Sequence, residues 1–516
     1  MRRTACVLMA LAALAAPGLA DGNYRVEETR LGEWPAVIHD TFSTPDGRHF
    51  ASLTVRNDKW LVVVDGVPLP ECDCLAGLVF SAHGQRVAYG VKQGDKWRVV
   101  VDGVPGPEYD GILELTPILS ADGQRVAYGA RTGDKWRVVL DGVPGPEYDG
   151  ILEGTPVFSA DGQRVAYGAQ QGDRWRVVVD GVPGPEYDGI LGGTPVFSAD
   201  GKRMAYAAKQ GDKLLLVVDA APGPECDEIM EGTLVFSGDG RRLAYGARTG
   251  AKWRMVVDGV PGPEHDGLGF EGNLIKHGPV FSADGRRVAY GAMEGDGWVV
   301  VVDGLAGPQY DCLQLGPVFS GDGRRVAYVA GKGDKTLVAV DAVAGPEYDS
   351  IAANSSVFTA DGQHVAYGAR TGDTWRIVVD GAGGPEYDEV GEPVFSAQGQ
   401  RLAYWVRVGP WKGGKWRVVV DGEAGPEYEY IEEEHPVFSP DGQRVAYAAG
   451  KGDKMLVVVD GEPGPEYDGI IPGGPSFNVD GTAEYLAVRA NSLYRTKHIP
   501  IARRRPVDLP AGGPAV

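Results

Sequence analysis

An all-β protein built as a β-propeller is predicted by three observations: an abundance of turn residues, a motif repeated at near-constant period, and alternating apolar residues within each repeat. The 516 residues include 77 Gly and 36 Pro, and each Gly or Pro inside a helix costs about 1 or 3 kcal/mol. Long helices are therefore excluded. Disorder is excluded too, because 43% of the residues are hydrophobic, and 11 Trp and 22 Tyr can furnish a core.

The motif Phe-Ser-Ala-Asp-Gly-Gln-Arg-Val-Ala-Tyr-Gly, with variants, occurs in twelve copies from Gly47 to Gly481, and its turn glycines are 37 to 45 residues apart, most often 39. In the fourth repeat, Pro156 to Ser159 is a short apolar run ended by the turn pair Asp161-Gly162. Arg164 to Ala169 alternates, with Val165, Tyr167 and Ala169 on one face. A second turn, Gly172-Asp173, leads to Trp175–Asp180, where Trp175, Val177 and Val179 share a face. A third turn, Gly181 to Pro185, leads to a fourth strand over Glu186–Ile190. Four short strands in about 40 residues make one propeller blade.

At these residues the chain resembles the TolB-like, or WD-repeat-like, β-propeller family. Pro156-Val157-Phe158-Ser159-Ala160-Asp161-Gly162 followed by Val165-Ala166-Tyr167 carries the likeness, which extends over residues 33–500. Departures include His83 and Gln398 at the turn aspartate, and Leu214, Thr336 and Met455 at the third-strand tryptophan. The resemblance implies the blade fold. For function it implies only an analogy with binding proteins of the cell envelope.

Twelve blades exceed the four to eight usual in one ring, so the expected architecture is two tandem six-bladed propellers, residues 21–260 and 261–500. The longest spacing, 45 residues, falls at that boundary. Glu33–His39 would then close the first ring and Glu264–Leu268 the second, because the last repeat lacks a fourth strand. One large closed ring is the alternative. Residues 501–516, rich in Arg and Pro, read as a disordered tail.

Residues 1–20 read as a signal peptide: Arg2 and Arg3, an apolar run from Ala5 to Ala16, then Gly18-Leu19-Ala20. That run falls short of the ~20 residues needed to span a bilayer, so an exported chain, periplasmic or secreted, is expected. The remaining cysteines, Cys72, Cys74, Cys226 and Cys312, form neither a disulfide framework nor a zinc-ligand pattern.

The net charge is −21, and its source is the repeat. The fourth copy places Asp161, Asp173, Asp180, Glu186 and Asp188 against Arg164, Arg174 and Arg176. Such a surface opposes nucleic-acid binding, which needs clustered Lys and Arg; the one basic cluster, Arg503–Arg505, lies in the tail. It suits a basic partner instead.

In an antiparallel blade, turns one and three lie at one end, and turn two and the blade-to-blade link lie at the other. Both large insertions, Leu268–Gly278 and Val408–Lys415, fall at the second end and bring Phe270, Lys276, His277, Trp411 and Lys412 there. These five residues are the expected binding residues. No nucleophile elbow, zinc-protease, Walker or haem motif is present, so neither catalytic residues nor a metal or cofactor is assigned. A non-enzymatic scaffold for a protein or peptide is the first reading. A propeller enzyme acting on polysaccharides or lactones, and a carbohydrate or divalent-cation binder, are the alternatives.

Overall fold

The computed structural model describes residues 24–34, 38–44, 48–82, 84–269, 278–352, 357–432 and 436–501. Among these residues there is no helix; the strands form twelve antiparallel sheets that follow one another around a ring as four-stranded propeller blades. The signal-peptide reading, the tail, Phe270, Lys276 and His277 lie outside the described residues.

The fourth blade shows how the repeat folds. Its inner strand is split into Gly150–Ile151 and Val157–Phe158, and the next two strands are Val165–Gln171 and Arg174–Val179. In the first turn, Ser159 Oγ donates to Asp161 Oδ1 at 2.6 Å and accepts from the Arg164 amide at 3.0 Å. Gly162 takes φ +68° there. Gly172, at φ +59°, opens the second turn in the manner of a type II′ hairpin.

The third turn is tighter than the sequence reading placed it. Asp180 and Gly181 both have positive φ, +50° and +79°, which makes a two-residue type I′ turn. The outer strand therefore begins at Val182–Pro183 and extends through the Trp175–Tyr187 bridge. Gly189–Ile190, expected in that strand, opens the inner strand of the fifth blade.

Closure also differs from expectation. Tyr24–Glu33 pairs with Ser492–Pro500 and supplies the outer strand of the twelfth blade. Gly267–Leu268, expected as a closing strand, is the start of the seventh blade's inner strand and pairs with Val288–Glu294.

Most neighbouring blades are held by one clamp at each end. Arg164 pairs with Asp180 at 3.2 Å, donates to the carbonyls of Gly201 and Lys202 in the next blade, and lies 5.2 Å from the Phe197 ring. At the other end, Asp188 pairs with Arg174 of its own blade and accepts the Gly211 amide of the next at 2.7 Å. Across the expected domain boundary the arrangement is unchanged. Arg242 donates to the Arg286 carbonyl at 2.6 Å and stacks on Phe281, and Asp266 accepts the Gly295 amide at 2.9 Å. Between the twelfth and first blades, Arg495 reaches the Arg48 carbonyl at 2.9 Å, and Phe50 packs against Leu486, Val488 and Leu493.

Between the clamps the sheets pack through small and aromatic residues. Ala166 is fully buried, and Tyr148 of one blade meets Tyr167 of the next edge-on at 6.2 Å. The same tyrosine pair recurs at other interfaces with centroids 6.0–6.3 Å apart.

At the closing seam His498 is fully buried; its ring lies 4.6 Å from Tyr24, and its Nε2 is 3.1 Å from the Tyr485 hydroxyl. Burial, helped by Arg444, lowers its pKa from 6.5 to about 4. The unfolded chain thus binds a proton that the folded one refuses between pH 6.5 and 4. Stability from this group is complete above pH 6.5 and falls as the pH drops towards 4, by about 3 kcal/mol in all. Denaturant unfolding across this range should show a slope about one proton shallower in His498→Gln than in the wild type; equal slopes would refute the assignment.

Candidate functional site

The repeat makes most of the surface uniform, so a unique site must lie where the repeat is broken. Grooves of about 420 and 710 Å³ lie between blades two and three and between blades four and five. Both are walled by the same residues, Val104 with Tyr128 and Val182 with Tyr206, and so mark the repeat rather than a special place.

The largest break among the described residues is in the tenth blade. Its second and third strands, Leu402–Val408 and Lys415–Val420, are joined by a loop where the fourth blade needs only Gly172-Asp173. Gly409 and Gly413 take φ +96° and +89°, and the Gly414 amide donates to the Pro410 carbonyl at 2.8 Å. A Cβ at Gly414 would stand 2.5 Å from that carbonyl oxygen. This compact turn folds Trp411 back over its own hairpin.

Arg407 is the centre of the cluster. Its side chain is 11% exposed and pairs with Glu389 at 2.8 Å. Its guanidinium lies 5.6 Å from the Trp411 ring and 5.9 Å from the Trp416 ring. In other blades an arginine meets one tryptophan only, as Arg248 meets Trp253 at 5.7 Å. Trp411 also meets Trp416 edge-on at 6.0 Å, and Trp405 lies 4.9 Å from Trp416. Trp405 occupies the position of Gly168 in the fourth blade, and Gly391 is needed beside it because a Cβ there would be 2.2 Å from its ring.

Trp411 is thus held on one side and open on the other, with 66% of its surface exposed. Lys412 beside it is exposed, as is Val408. On the eleventh blade, Tyr430 stands where the fourth has Gly150, and its ring covers Gly450. Burial together with Glu432 and Glu429 raises the Tyr430 pKa. Asp388 accepts the Gly409 amide at 2.7 Å. Asp388 and Glu389 thus flank the hairpin that carries Trp411, and Glu429 and Glu432 flank Tyr430.

Of the five residues expected from sequence, Trp411 and Lys412 lie together on the tenth-blade loop. Arg407, Trp405 and Tyr430 were missed, although each departure from the repeat at Trp405 and Tyr430 is a Gly-to-aromatic exchange visible by aligning the copies. Among the described residues, no group of three or more His, Cys, Asp or Glu side chains is placed to hold a metal ion, and Cys72, Cys74, Cys226 and Cys312 are free thiols. No helix among them is long and apolar enough to cross a membrane.

The two layers of this cluster should separate on mutation. Trp411→Ala should change stability by less than about 1 kcal/mol, since its outer face is already in water. Arg407→Ala should cost about 2 kcal/mol by leaving Glu389 unpaired and two indoles unsupported. Denaturant melts of the two variants check this; equal losses would show that Trp411 is part of the packing.

Solved structures similar to this chain include a eukaryotic initiation factor, at 12% identity over 68% of this chain and 97% of that one, with a TM-score of 0.33. TolB from Acinetobacter baumannii matches at 18% identity over 51% and 75%, with a TM-score of 0.22. The β-propeller domain of the Trilobed protease from Pyrococcus furiosus matches at 11% identity over 60% and 94%, with a TM-score of 0.25. No protein-family model and no curated protein matches the sequence. None of these likenesses assigns a function to the chain.

Proposed function

We propose that this chain is an exported, non-enzymatic β-propeller that binds a protein or peptide partner through the second-turn face of its tenth and eleventh blades. The carrying observation is Trp411, a large exposed indole braced by Arg407, which is itself paired with Glu389. A rigid aromatic anchor gives contact area at little entropic cost, and the face of an indole attracts Lys or Arg side chains. The net charge of −21 favours approach of a basic partner. Export rests on the Arg2–Ala20 pattern and on nothing else.

A photo-crosslinking residue at position 411 should capture the same partner as one at position 430, and one at position 260, on the opposite face, should not. Trp411→Ala should weaken that partner's affinity at least tenfold. Capture from position 260 alone, or affinity unchanged in Trp411→Ala, would overturn the choice of face. A carbohydrate is the second reading, because an exposed indole also stacks on sugars. Quenching of Trp411 fluorescence by a polysaccharide, absent in Trp411→Ala, would favour it.

We also propose that the twelve blades make one closed ring. Three contacts support this: the shared strand pairing of the two chain ends, the Arg495 clamp onto the first blade, and the unaltered clamps between blades six and seven. Residues 21–260 expressed alone should then lack a cooperative unfolding transition, because Phe50 at one end and Met255 at the other would lose their covering sheets. A soluble fragment that melts cooperatively would support two rings instead.

A further inference from the structure

The second departure from the repeat lies between blades one and two. At most interfaces a tyrosine from the outer strand of one blade meets a tyrosine from the second strand of the next, as Tyr109 meets Tyr128 at 6.1 Å. Cys72 occupies the outer-strand position here: it bridges Trp60 as Tyr109 bridges Trp97. The shorter side chain leaves a cavity of about 90 Å³ between Cys72 and Tyr89.

Two properties of the cavity point to what it accepts. Its inner wall is Cys72, Tyr89, Val91 and Val100, a mostly apolar surface matching the flank of a ring. Where two tyrosines meet, the second ring fills this space, as Tyr109 does beside Tyr128. Tyr89, only 1% exposed, has no such partner; among the described residues no hydrogen bond reaches its hydroxyl, and it faces the cavity. Exposed Pro105 and Gln93 mark the mouth, at the outer rim of the ring.

Cys72 itself is not the reactive group. Burial pushes its thiol up to about 11, so it stays protonated and acts as a small apolar wall. Its use is the space it leaves.

We propose that this cavity is a binding site for a phenol ring, and that its occupant is a tyrosine side chain of a peptide partner entering from the rim. The inserted ring takes the place that Tyr109 holds one interface later, with its hydroxyl at Tyr89. The site is independent of Trp411 and lies in a different blade, so either can fail without the other.

The probe is p-cresol, the tyrosine side chain without its backbone, titrated into the full chain by calorimetry. One saturable site with a millimolar Kd is expected, and a tenfold excess over Kd should raise Tm by about 1–2 °C. Cys72→Tyr should abolish binding and itself raise Tm, because the new ring fills the space. Tyr89→Phe, which keeps the shape, should weaken p-cresol about 2- to 10-fold and leave toluene unaffected. Cys226→Tyr, the same exchange between blades five and six, should leave the affinity for p-cresol at Cys72 unchanged. No saturable binding by the wild type, or equal binding by Cys72→Tyr, overturns the site, and the cavity is then a hydrated void. Binding of p-cresol without binding of N-acetyltyrosinamide overturns the peptide side chain as occupant.

Discussion

The arginine that follows the first turn is the contact on which this molecule depends. One side chain does three things at once: it pairs with the aspartate of its own third turn, covers a phenylalanine of the next blade, and donates to that blade's turn carbonyls. The paired aspartate is itself fixed, because its second oxygen accepts the amide that starts the second strand, as Asp180 does from Val165 at 2.9 Å. Each such clamp is half in water and modest by itself. Its weight comes from repetition, since a repeat array is stabilised by the sum of its nearest-neighbour interfaces.

The exceptions show what the clamp requires. His49 and His364 replace the arginine in the first and ninth blades and keep the aspartate partner, at 2.7 and 2.6 Å. The His49 ring packs on the turn glycine of the next blade, where a Cβ on Gly84 would stand 2.1 Å from it, but among the described residues it adds no hydrogen bond to that turn's carbonyls. In the twelfth blade the turn is one residue shorter and Thr482 follows its glycine, yet a guanidinium still reaches the first blade, supplied by Arg495 from the neighbouring strand. A different strand meeting the same need at the place where the chain ends join is a sign that the contact, not the residue position, is what the fold preserves.

The period, the turn glycines and the alternating second and third strands are all legible in the sequence, because each depends on local spacing. The outer strand was displaced in that reading because Val182-Pro183-Gly184-Pro185 looks like a turn by composition. Its prolines serve a different end: they remove outward-facing amide donors from an exposed strand edge and so discourage edge-to-edge pairing. Glycine between them lets the outer strand lie close to the third, since a Cβ on Gly184 would stand 3.0 Å from the Val177 carbonyl oxygen. The identity of the closing strand was half legible. A missing fourth strand at one end called for one from the other, but only the register of Tyr24–Glu33 against Ser492–Pro500 identifies which segment answers.

The proposed binding surface follows the reverse logic, for it is legible in the sequence only where length changes. Trp411 and Lys412 announced themselves through an insertion, whereas Trp405 and Tyr430 replace glycines without altering the count and so hide inside the period. Both kinds of change have the same physical consequence. A ring of near-identical interfaces offers every ligand the same weak grooves, and discrimination needs a place that differs from its neighbours by volume or by exposed aromatic surface. Large-for-small exchange in the tenth and eleventh blades pushes indole and phenol outward, and small-for-large exchange at Cys72 pulls a ring out of the wall and leaves its shape behind. Both are possible without unfolding because a clamp remains at one end of each of these interfaces: Asp73 accepts the Gly94 amide beside Cys72, and Arg401 donates to the Gln443 carbonyl between blades ten and eleven, so a side chain between the sheets can change size while the sheets stay where they are.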